Sequence, residues 1–177
     1  CSSLTSITIP DSVTSVGDWA FHRCSSLTSI AIPDNVTFIG NFVFRGCSSL
    51  TSIVIPDGVT IIGDSAFMYC DNLKSITIPD SVTYIDDWAF SFCYSLASIT
   101  IPDGVTSIGH AAFQFCDLTS ITIPDSVTYI DDYAFNACRS LETVYYRGSE
   151  AEWNEIEIGS WNDKLENAEI VFNYTGE

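Results

Sequence analysis

Residues 47–69 read CSSLTSIVIPDGVTIIGDSAFMY, and residues 70–92 read CDNLKSITIPDSVTYIDDWAFSF. The two stretches align without a gap and share the cysteine that begins each of them and a Pro-Asp pair near the middle. The same cysteine recurs at positions 1, 24, 47, 70, 93, 116 and 138. The chain is therefore a tandem array with a period of 23 residues, shortened once to 22 where Cys116-Asp117-Leu118 has lost a residue.

Each unit contains one short strand followed by tight turns. In Ile7-Thr8-Ile9 and its copies apolar and polar residues alternate, which is the period of a half-buried strand. Pro10-Asp11 ends the strand because proline lacks the N–H that a sheet needs. Ala20, Phe21 and Cys24 then predict one turn of helix or 3₁₀ helix. So short a unit cannot bury its own apolar face, and the copies must stack so that equivalent residues form columns.

Composition excludes several classes of protein. The 177 residues carry 23 acidic and 6 basic side chains, for a net charge of −17. Nucleic-acid binding is excluded because phosphate recognition depends on Lys and Arg. Membrane insertion is excluded because the chain contains no apolar run long enough to span a bilayer. The seven cysteines, one per unit, predict buried reduced thiols, since side chains in one column point the same way and a bridge between neighbours would be strained.

The repeat resembles a known family. Leu4, Ile7 and Ile9 resemble the strand signature of leucine-rich repeats, and the continuation through Val16-Gly17 to Cys24 is similar to the BspA-like subfamily of bacterial and protist surface proteins. The resemblance implies an α/β repeat solenoid. It would be a right-handed leucine-rich-repeat superhelix of 23-residue units, with a parallel sheet on the concave side and short helical or 3₁₀ turns elsewhere. It also implies a secreted or cell-surface protein used for adhesion or protein binding.

A boundary is predicted where the repeat fails. Residues 1–146 are expected to form the solenoid, with six full repeats and a partial seventh, because Arg147 stands where proline is expected. Residues 147–177 are expected to form a C-terminal cap of the same domain. At the other end, Cys1 begins a repeat already in register, so we expect a segment cut from a longer chain. Its uncapped N-terminal edge, at residues 4–9, is predicted to allow edge-to-edge self-association.

The sequence predicts no enzyme, no catalytic residue, no cofactor and no resident metal. The two histidines, His22 and His110, lie in different repeats, and neither is matched by an acid and a nucleophile. One aspartate follows each proline and is predicted to cap its own turn: Asp11, Asp34, Asp57, Asp80, Asp103 and Asp125. Binding of Ca²⁺ by this set, or by the pairs Asp86-Asp87 and Asp131-Asp132, remains an alternative.

Two surfaces are candidates for binding a partner. The first is the small, hydroxyl-rich outward face of the concave strands, called here the hydroxyl face: Ser6, Thr8, Ser29, Ser52, Ser75, Thr77, Ser98, Thr100, Ser120 and Thr122. The second consists of two columns that vary while the repeat frame stays fixed. The Tyr84 column is Ser15, Phe38, Ile61, Tyr84, Ser107 and Tyr129, and the Trp88 column is Trp19, Phe42, Ser65, Trp88, Ala111 and Tyr133.

Aromatic residues are common in binding hot spots, so the candidates in these columns are Trp19, Phe38, Phe42, Tyr84, Trp88, Tyr129 and Tyr133. The same rings could instead cover backbone and one another, and the sequence does not choose between the two surfaces. We therefore predict a non-catalytic protein-binding or adhesion module of a secreted or cell-surface protein, whose ligand is a protein or a glycan. The alternatives are a structural spacer that displays another domain and a Ca²⁺-binding solenoid.

Overall fold

The computed structural model of the chain describes residues 1–176. It is a parallel-strand solenoid of about seven turns, called rungs here, which repeat at about 23 residues and contain little helix. This confirms the predicted leucine-rich-repeat architecture. Residue 177, the last of the predicted cap, lies outside the described residues.

The concave side carries the inner sheet, which has one strand per rung from the third rung onward. Its strands are β3 (Ser52–Val54), β5 (Ser75–Thr77), β7 (Ser98–Thr100), β9 (Ser120–Ile123), β11 (Thr143–Tyr146) and β13 (Glu169–Val171). β3 pairs with β5, and β7, β9, β11 and β13 form a second, continuous parallel stretch. In the first two rungs the sheet is reduced to one bridge, between Thr8 and Ala31.

A second, narrower sheet lies after the Pro-Asp turn and is called the outer sheet here. Its strands are β1 (Ser15–Val16), β2 (Phe38–Ile39), β4 (Ile61–Ile62), β6 (Tyr84–Ile85), β8 (Ser107–Ile108), β10 (Tyr129–Ile130) and β12 (Glu157–Ile158). β1 pairs with β2, and β4, β6, β8, β10 and β12 form a separate continuous stretch; every pairing within each stretch is parallel and in register. The second residue of β6 is buried and the first faces outward. Two residues are too few to produce a periodic pattern, which is why only one strand per unit was expected.

The segment after the outer sheet is held by two kinds of backbone hydrogen bond. In the fourth rung the N–H groups of Trp88 and Phe90 donate to the carbonyl groups of His110 and Ala112 in the next rung, both at 2.8 Å. Between them the N–H of Ala89 turns back onto its own rung. Because alternate N–H groups are committed to the neighbouring rung, the segment forms single turns rather than a continuous 3₁₀ helix.

The core is built from columns that run the length of the solenoid. Six phenylalanines stack with ring centroids 5.2–5.5 Å apart, and they are Phe21, Phe44, Phe67, Phe90, Phe113 and Phe135. All seven cysteines are free, and all but Cys1 are buried, as predicted. The thiol of Cys47 donates to the Phe21 carbonyl at 3.1 Å, and four later thiols repeat this bond. Burial raises the pKa of Cys47 to about 12.

The C-terminal segment contains two short helices, α1 (Glu150–Trp153) and α2 (Asp163–Glu166), and its strands β12 and β13 pair with β10 and β11. A capping box between Ser149 and Glu152 begins α1. Asn162, which is 1% exposed, accepts the Phe135 N–H through Oδ1 at 2.9 Å and donates through Nδ2 to two carbonyl groups. Its Oδ1 thus accepts the kind of bond that earlier rungs make to the next rung, as from the N–H of Phe113 to the carbonyl of Ala134. Within residues 1–176 no helix is long and apolar enough to cross a bilayer.

Candidate functional site

The residues of the hydroxyl face lie on the inner sheet. Ser52 pairs with Ser75, and Ser98 with Ser120, while Thr100 pairs with Thr122, so these hydroxyl groups form rows across the strands. Ser6, Thr8 and Ser29 belong to the first two rungs, outside the named strands, and are exposed. Large apolar side chains are scarce on this face, where Val54 is 66% exposed. The hydroxyl face is therefore a polar surface of small side chains.

Two cavities open on the concave side where the inner sheet is interrupted. The larger, about 410 Å³, lies between β5 and β7, which share no strand pairing in the described chain, and its charged lining residues are Lys74, Asp80 and Arg147. The smaller, about 350 Å³, lies between β3 and the rung before it. Arg147 forms an ion pair with Asp103, and its Nε is buried without a partner.

Asp103 is the one member of the Pro-Asp set whose carboxylate has a partner within residues 1–176. The turns are closed by backbone instead: in the first rung the N–H of Val13 donates to the carbonyl of Pro10 at 3.0 Å, and later rungs repeat the bond. The predicted capping of these turns by their aspartates is therefore wrong. A backbone bond already closes each turn, and the carboxylates are left exposed to water.

The Tyr84 column occupies the outward position of the outer sheet. Phe38 is 56% exposed and lies opposite Ser15, and Ile61 lies opposite Tyr84. Tyr84 and Tyr129 are half-buried. Burial, together with nearby aspartates, raises the pKa of Tyr84. The exposed large apolar side chains of this column thus lie in the second and third rungs.

The Trp88 column lies on the turn segment, and its rings contact one another by stacking at both ends and by edge-on or tilted contacts through His110. Trp19 stacks on Phe42 with centroids 4.1 Å apart. Further along, Trp88 and Tyr133 are joined through His110, at 5.2 and 5.4 Å. Trp161 of the C-terminal segment stacks on Tyr133 and extends the column. The structure therefore brings the predicted aromatic residues of this column into two groups, separated at Ser65.

A third variable column was missed by the sequence analysis. It precedes the cysteine of each repeat and is called the Phe92 column: Arg23, Gly46, Tyr69, Phe92, Phe115 and Ala137. Tyr69 and Phe115 stack on either side of Phe92, with centroids 4.6 and 4.8 Å apart. The guanidinium of Arg45 lies 5.9 Å from the Tyr69 ring and 5.8 Å from the Phe42 ring, which joins this column to the Trp88 column. Three consecutive aromatic residues at one variable position were the available signal.

Both turn columns hold residues with left-handed backbone. Trp88 has φ 50° and Phe92 has φ 62°, and the same conformation recurs at non-aromatic members such as Ser65 and Ala137. A non-glycine residue in this region costs about 1–2 kcal/mol. Because the conformation recurs in nearly every rung whatever the side chain, it is a property of the scaffold, and hydrogen bonds between rungs offset its cost. We name the Tyr84, Trp88 and Phe92 columns together the aromatic side.

Side chains next to the Trp88 column cap backbone N–H groups of the following rung. Asp18 Oδ1 accepts the N–H of Asn41 at 2.8 Å, and Asn41 Oδ1 accepts the N–H of Asp64 at 3.1 Å. The glycine before each capped residue leaves room for this side chain, since a Cβ on Gly40 would lie 2.3 Å from Asp18 Oδ1. The glycine that recurs in most rungs is therefore needed for the close approach of a cap.

In two rungs of the described chain no side chain of the previous rung caps this backbone N–H group. There the first aspartate of the pair Asp86-Asp87 or Asp131-Asp132 caps the N–H of the second. Asp64 bonds its neighbouring serine, and Asp86, which replaces the glycine of other rungs, accepts the N–H of Asp87 at 2.8 Å. Asp131 makes the equivalent bond in the rung after His110. Over residues 1–176 no three His, Cys, Asp or Glu side chains gather as a metal site would require. Asp86 and Asp131 are thus engaged in backbone capping.

The two histidines belong to the aromatic side. His22 packs edge-on against Trp19 at 4.9 Å, and His110 lies between Trp88 and Tyr133. Burial, with two neighbouring arginines, lowers the pKa of His22. Both imidazoles therefore pack against the aromatic rings of the Trp88 column, through edge-on or tilted contacts.

Comparisons with known proteins identify the family of the chain. The family model for the BspA type Leucine rich repeat region matches residues 1–86 and 60–171, in 6 copies. A crystal structure of the T. pallidum leucine-rich repeat protein TpLRR is similar, with 29% identity over 88% of this chain and 73% of that chain and a TM-score of 0.78. A leucine-rich repeat protein from Eubacterium ventriosum has 28% identity over 76% of this chain and 35% of its own, with a TM-score of 0.64.

A leucine-rich repeat protein from Bacteroides ovatus shares the fold, at 22% identity over 97% of this chain and 72% of that chain, with a TM-score of 0.60. No curated protein matches the chain. Leucine-rich repeat proteins are typically non-catalytic and serve in protein interaction. The chain belongs to the BspA-type leucine-rich repeat family.

Proposed function

We propose that the chain is a non-catalytic protein-binding module and that it binds its partner through the aromatic side. One observation carries the proposal: large exposed apolar side chains are concentrated there. Eight such residues occur in the described chain, and five of them belong to the three columns or extend them: Trp19, Phe38, Ile61, Tyr69 and Trp161. Four of the five lie in the first three rungs, and a concentration of exposed apolar side chains marks an interaction site on a protein surface.

The stacking of these rings favours binding for a second reason. Trp19 and Phe42 are held 4.1 Å apart, and Tyr69, Phe92 and Phe115 form a stack of three. A ring held by its neighbours loses little conformational freedom when a partner covers it, so more of the contact energy appears as affinity. The core beneath does not depend on which ring occupies each place, which allows recognition to change while the fold stays constant.

Adhesion and a secreted or cell-surface location are part of the proposal. Membership of the BspA-type family supports both, because proteins with this type of repeat suggest a surface or extracellular location. The net charge of −17 further favours partners with basic surfaces and predicts association that weakens as salt is added.

The hydroxyl face is the second candidate for the same function. Its support is the cavity of about 410 Å³ on the concave side, where Lys74 and Arg147 place two of the six basic residues. The two surfaces lie on different segments of each rung, so separate variants can distinguish them.

The experiment is a binding assay of the immobilised protein against a panel of extracellular matrix proteins, followed by variants. Trp19→Ala with Phe38→Ala should weaken binding by about tenfold or more, since exposed aromatic anchors dominate interfaces. The matched control is Ser75→Ala with Ser98→Ala, which should leave affinity unchanged. The reverse pattern would assign binding to the hydroxyl face. A folded protein that binds no member of the panel would favour the structural spacer.

A further inference from the structure

Most places where the turn columns lack a ring are filled by a neighbouring side chain. Beside Ser65, the guanidinium of Arg45 covers the Phe42 ring. Beside Ala111, the imidazole of His110 bridges the adjacent rings. At Gly46, a Cβ would lie 3.2 Å from Cγ of Arg23, so that side chain occupies the space. In each case an arginine or histidine side chain from the same or the preceding rung lies where the column has no ring.

Ala137 is the exception, because the stack ends there and leaves a cavity. The cavity measures about 460 Å³ and is called the Ala137 slot; it is lined by Tyr94, Phe115, Cys116, Asp117, Ala137 and Arg139. This volume lies within the range of small-ligand sites. Phe92 stacks on the Phe115 ring with centroids 4.8 Å apart, and Phe115 also lines the slot. Tyr94, which is 52% exposed, forms a second aromatic wall.

The rim of the Ala137 slot carries one charge of each sign. Asp117 and Arg139 are both exposed, and Arg139 has no ion-pair partner in the part of the chain that the structure describes. Asp117 accepts one hydrogen bond, from the hydroxyl of Ser140. The two rim charges cancel, so the rim gives no net attraction to a ligand with a single charge. A neutral ring bearing several hydroxyl groups would satisfy both side chains, by donating to the carboxylate and accepting from the guanidinium.

We propose that the Ala137 slot binds a neutral pyranose ring of a glycan. The C–H face of the sugar packs on the electron-rich face of Phe115 and continues the ring stack at the place that Ala137 leaves free. Its hydroxyl groups bond to Asp117 and Arg139. The site goes beyond the protein-binding role proposed above: it shares Phe115 and Ala137 with the aromatic side, but it does not involve Trp19 or Phe38.

The test is saturation-transfer NMR with the methyl glycosides of glucose, galactose, mannose and N-acetylglucosamine as probes. At least one probe should receive saturation, strongest on the protons of one ring face. Asp117→Asn and Arg139→Gln should each reduce the transfer severalfold. Asp57→Asn and Lys164→Gln, which change exposed charges outside the slot, should leave it unchanged.

Ala137→Phe is the decisive variant because it fills the slot without requiring a new backbone conformation. Ala137 has φ 58°, and Phe115 holds a phenylalanine at φ 59° in the equivalent place. The variant should keep the thermal unfolding temperature of the wild type and lose the saturation transfer. Transfer that survives Ala137→Phe, or a folded wild type that gives none with any probe, would overturn the proposal. Binding to matrix proteins through Trp19 and Phe38 would be unaffected by either result, so the two proposals can fail separately.

Discussion

The core stack and the two surface stacks are built from one segment of each rung and behave differently. In the fourth rung Trp88, Phe90 and Phe92 alternate along the chain, with Phe90 in the core and the other two in the surface columns. The core column holds phenylalanine in every rung from Phe21 to Phe135 and is unbroken. The surface columns contain alanine, serine and glycine among their rings. A gap in the core would leave a void, whereas water or a polar side chain can fill a gap outside.

This difference separates the residues that hold the fold from those free to specify a partner. Rings at both positions stack at similar distances, 5.3 Å for Phe67 on Phe90 and 4.6 Å for Tyr69 on Phe92. Stacking distance alone therefore does not distinguish scaffold from recognition. Burial does, and the following predictions test the distinction by perturbing each kind of column.

The largest effect should come from ionising the thiols beside the core stack. Burial raises the pKa of Cys47 to about 12, above its usual value of 9.0, and raises that of four other cysteines. Below pH 9 the thiols are neutral in both the folded and the unfolded state, so they do not lower the free energy of unfolding. Above pH 9 they ionise only in the unfolded state, and the free energy of unfolding falls as the pH rises towards 12. Each such thiol should remove about 1.4 kcal/mol per pH unit in that window.

Urea unfolding between pH 8 and 11 measures this loss. Cys47→Ser provides the control, since a hydroxyl group can donate to the same Phe21 carbonyl but does not ionise. In Cys47→Ser the free energy of unfolding should fall less steeply with pH than in the wild type, by about 1.4 kcal/mol per pH unit. An unchanged slope would show that the buried thiols do not control the alkaline transition.

Breaking the core stack in the middle should cost more than breaking it at its end. Phe67 is fully buried, with a ring on each side, and Phe67→Ala should lower the free energy of unfolding by about 3–5 kcal/mol because it leaves a cavity. Phe21 has one stacking neighbour and is 9% exposed, so Phe21→Ala should cost less. Denaturant titration of both variants gives the comparison, and equal losses would contradict the role of the continuous stack.

Removing the amide that closes the last rung should have an intermediate effect. Asn162→Ala leaves the Phe135 N–H and the Gly159 carbonyl without their partner, at a cost of about 1–3 kcal/mol, while the Asp131 carbonyl keeps the N–H of Ala134 at 3.3 Å. Asn162→Asp can still accept from Phe135 but cannot donate, so it should recover only part of the loss. Thermal unfolding monitored by circular dichroism measures both. Full stability in Asn162→Ala would show that α2 alone closes the solenoid.

Breaking a surface stack should change stability least. Tyr69→Ala removes a ring that is 38% exposed and stacked on one face, so we expect a loss of about 0.5–1.5 kcal/mol. The same denaturant titration used for Phe67→Ala provides the comparison. A loss as large as that of the core variant would mean that the aromatic side belongs to the scaffold.

The sequence predicted the repeat, the inner strands and the core columns because each depends on residue type at a fixed spacing. The outer strands were not predicted, since two residues such as Tyr84-Ile85 show no periodicity. The Phe92 column was missed because each member directly precedes a core cysteine, and the left-handed backbone that turns it away from the core is not visible in the sequence. The sequence could not show that Asp86 caps the N–H of Asp87. This bond depends on the Asp64 side chain of the preceding rung, which accepts from the Ser65 hydroxyl instead of capping Asp87. Left-handed backbone at Trp88 was equally hidden, since that conformation is usual for glycine.

The aromatic side and the hydroxyl face can be compared in one measurement, hydroxyl-radical labelling of the protein with and without a partner found in the binding panel. Trp19, Phe38 and Tyr69 report on the aromatic side, and Tyr145, which is half-buried on the inner sheet, reports on the concave side of the same molecule. We expect the partner to protect the first three residues and to leave the oxidation of Tyr145 unchanged. Protection of Tyr145 with unchanged labelling of Trp19, Phe38 and Tyr69 would contradict this expectation.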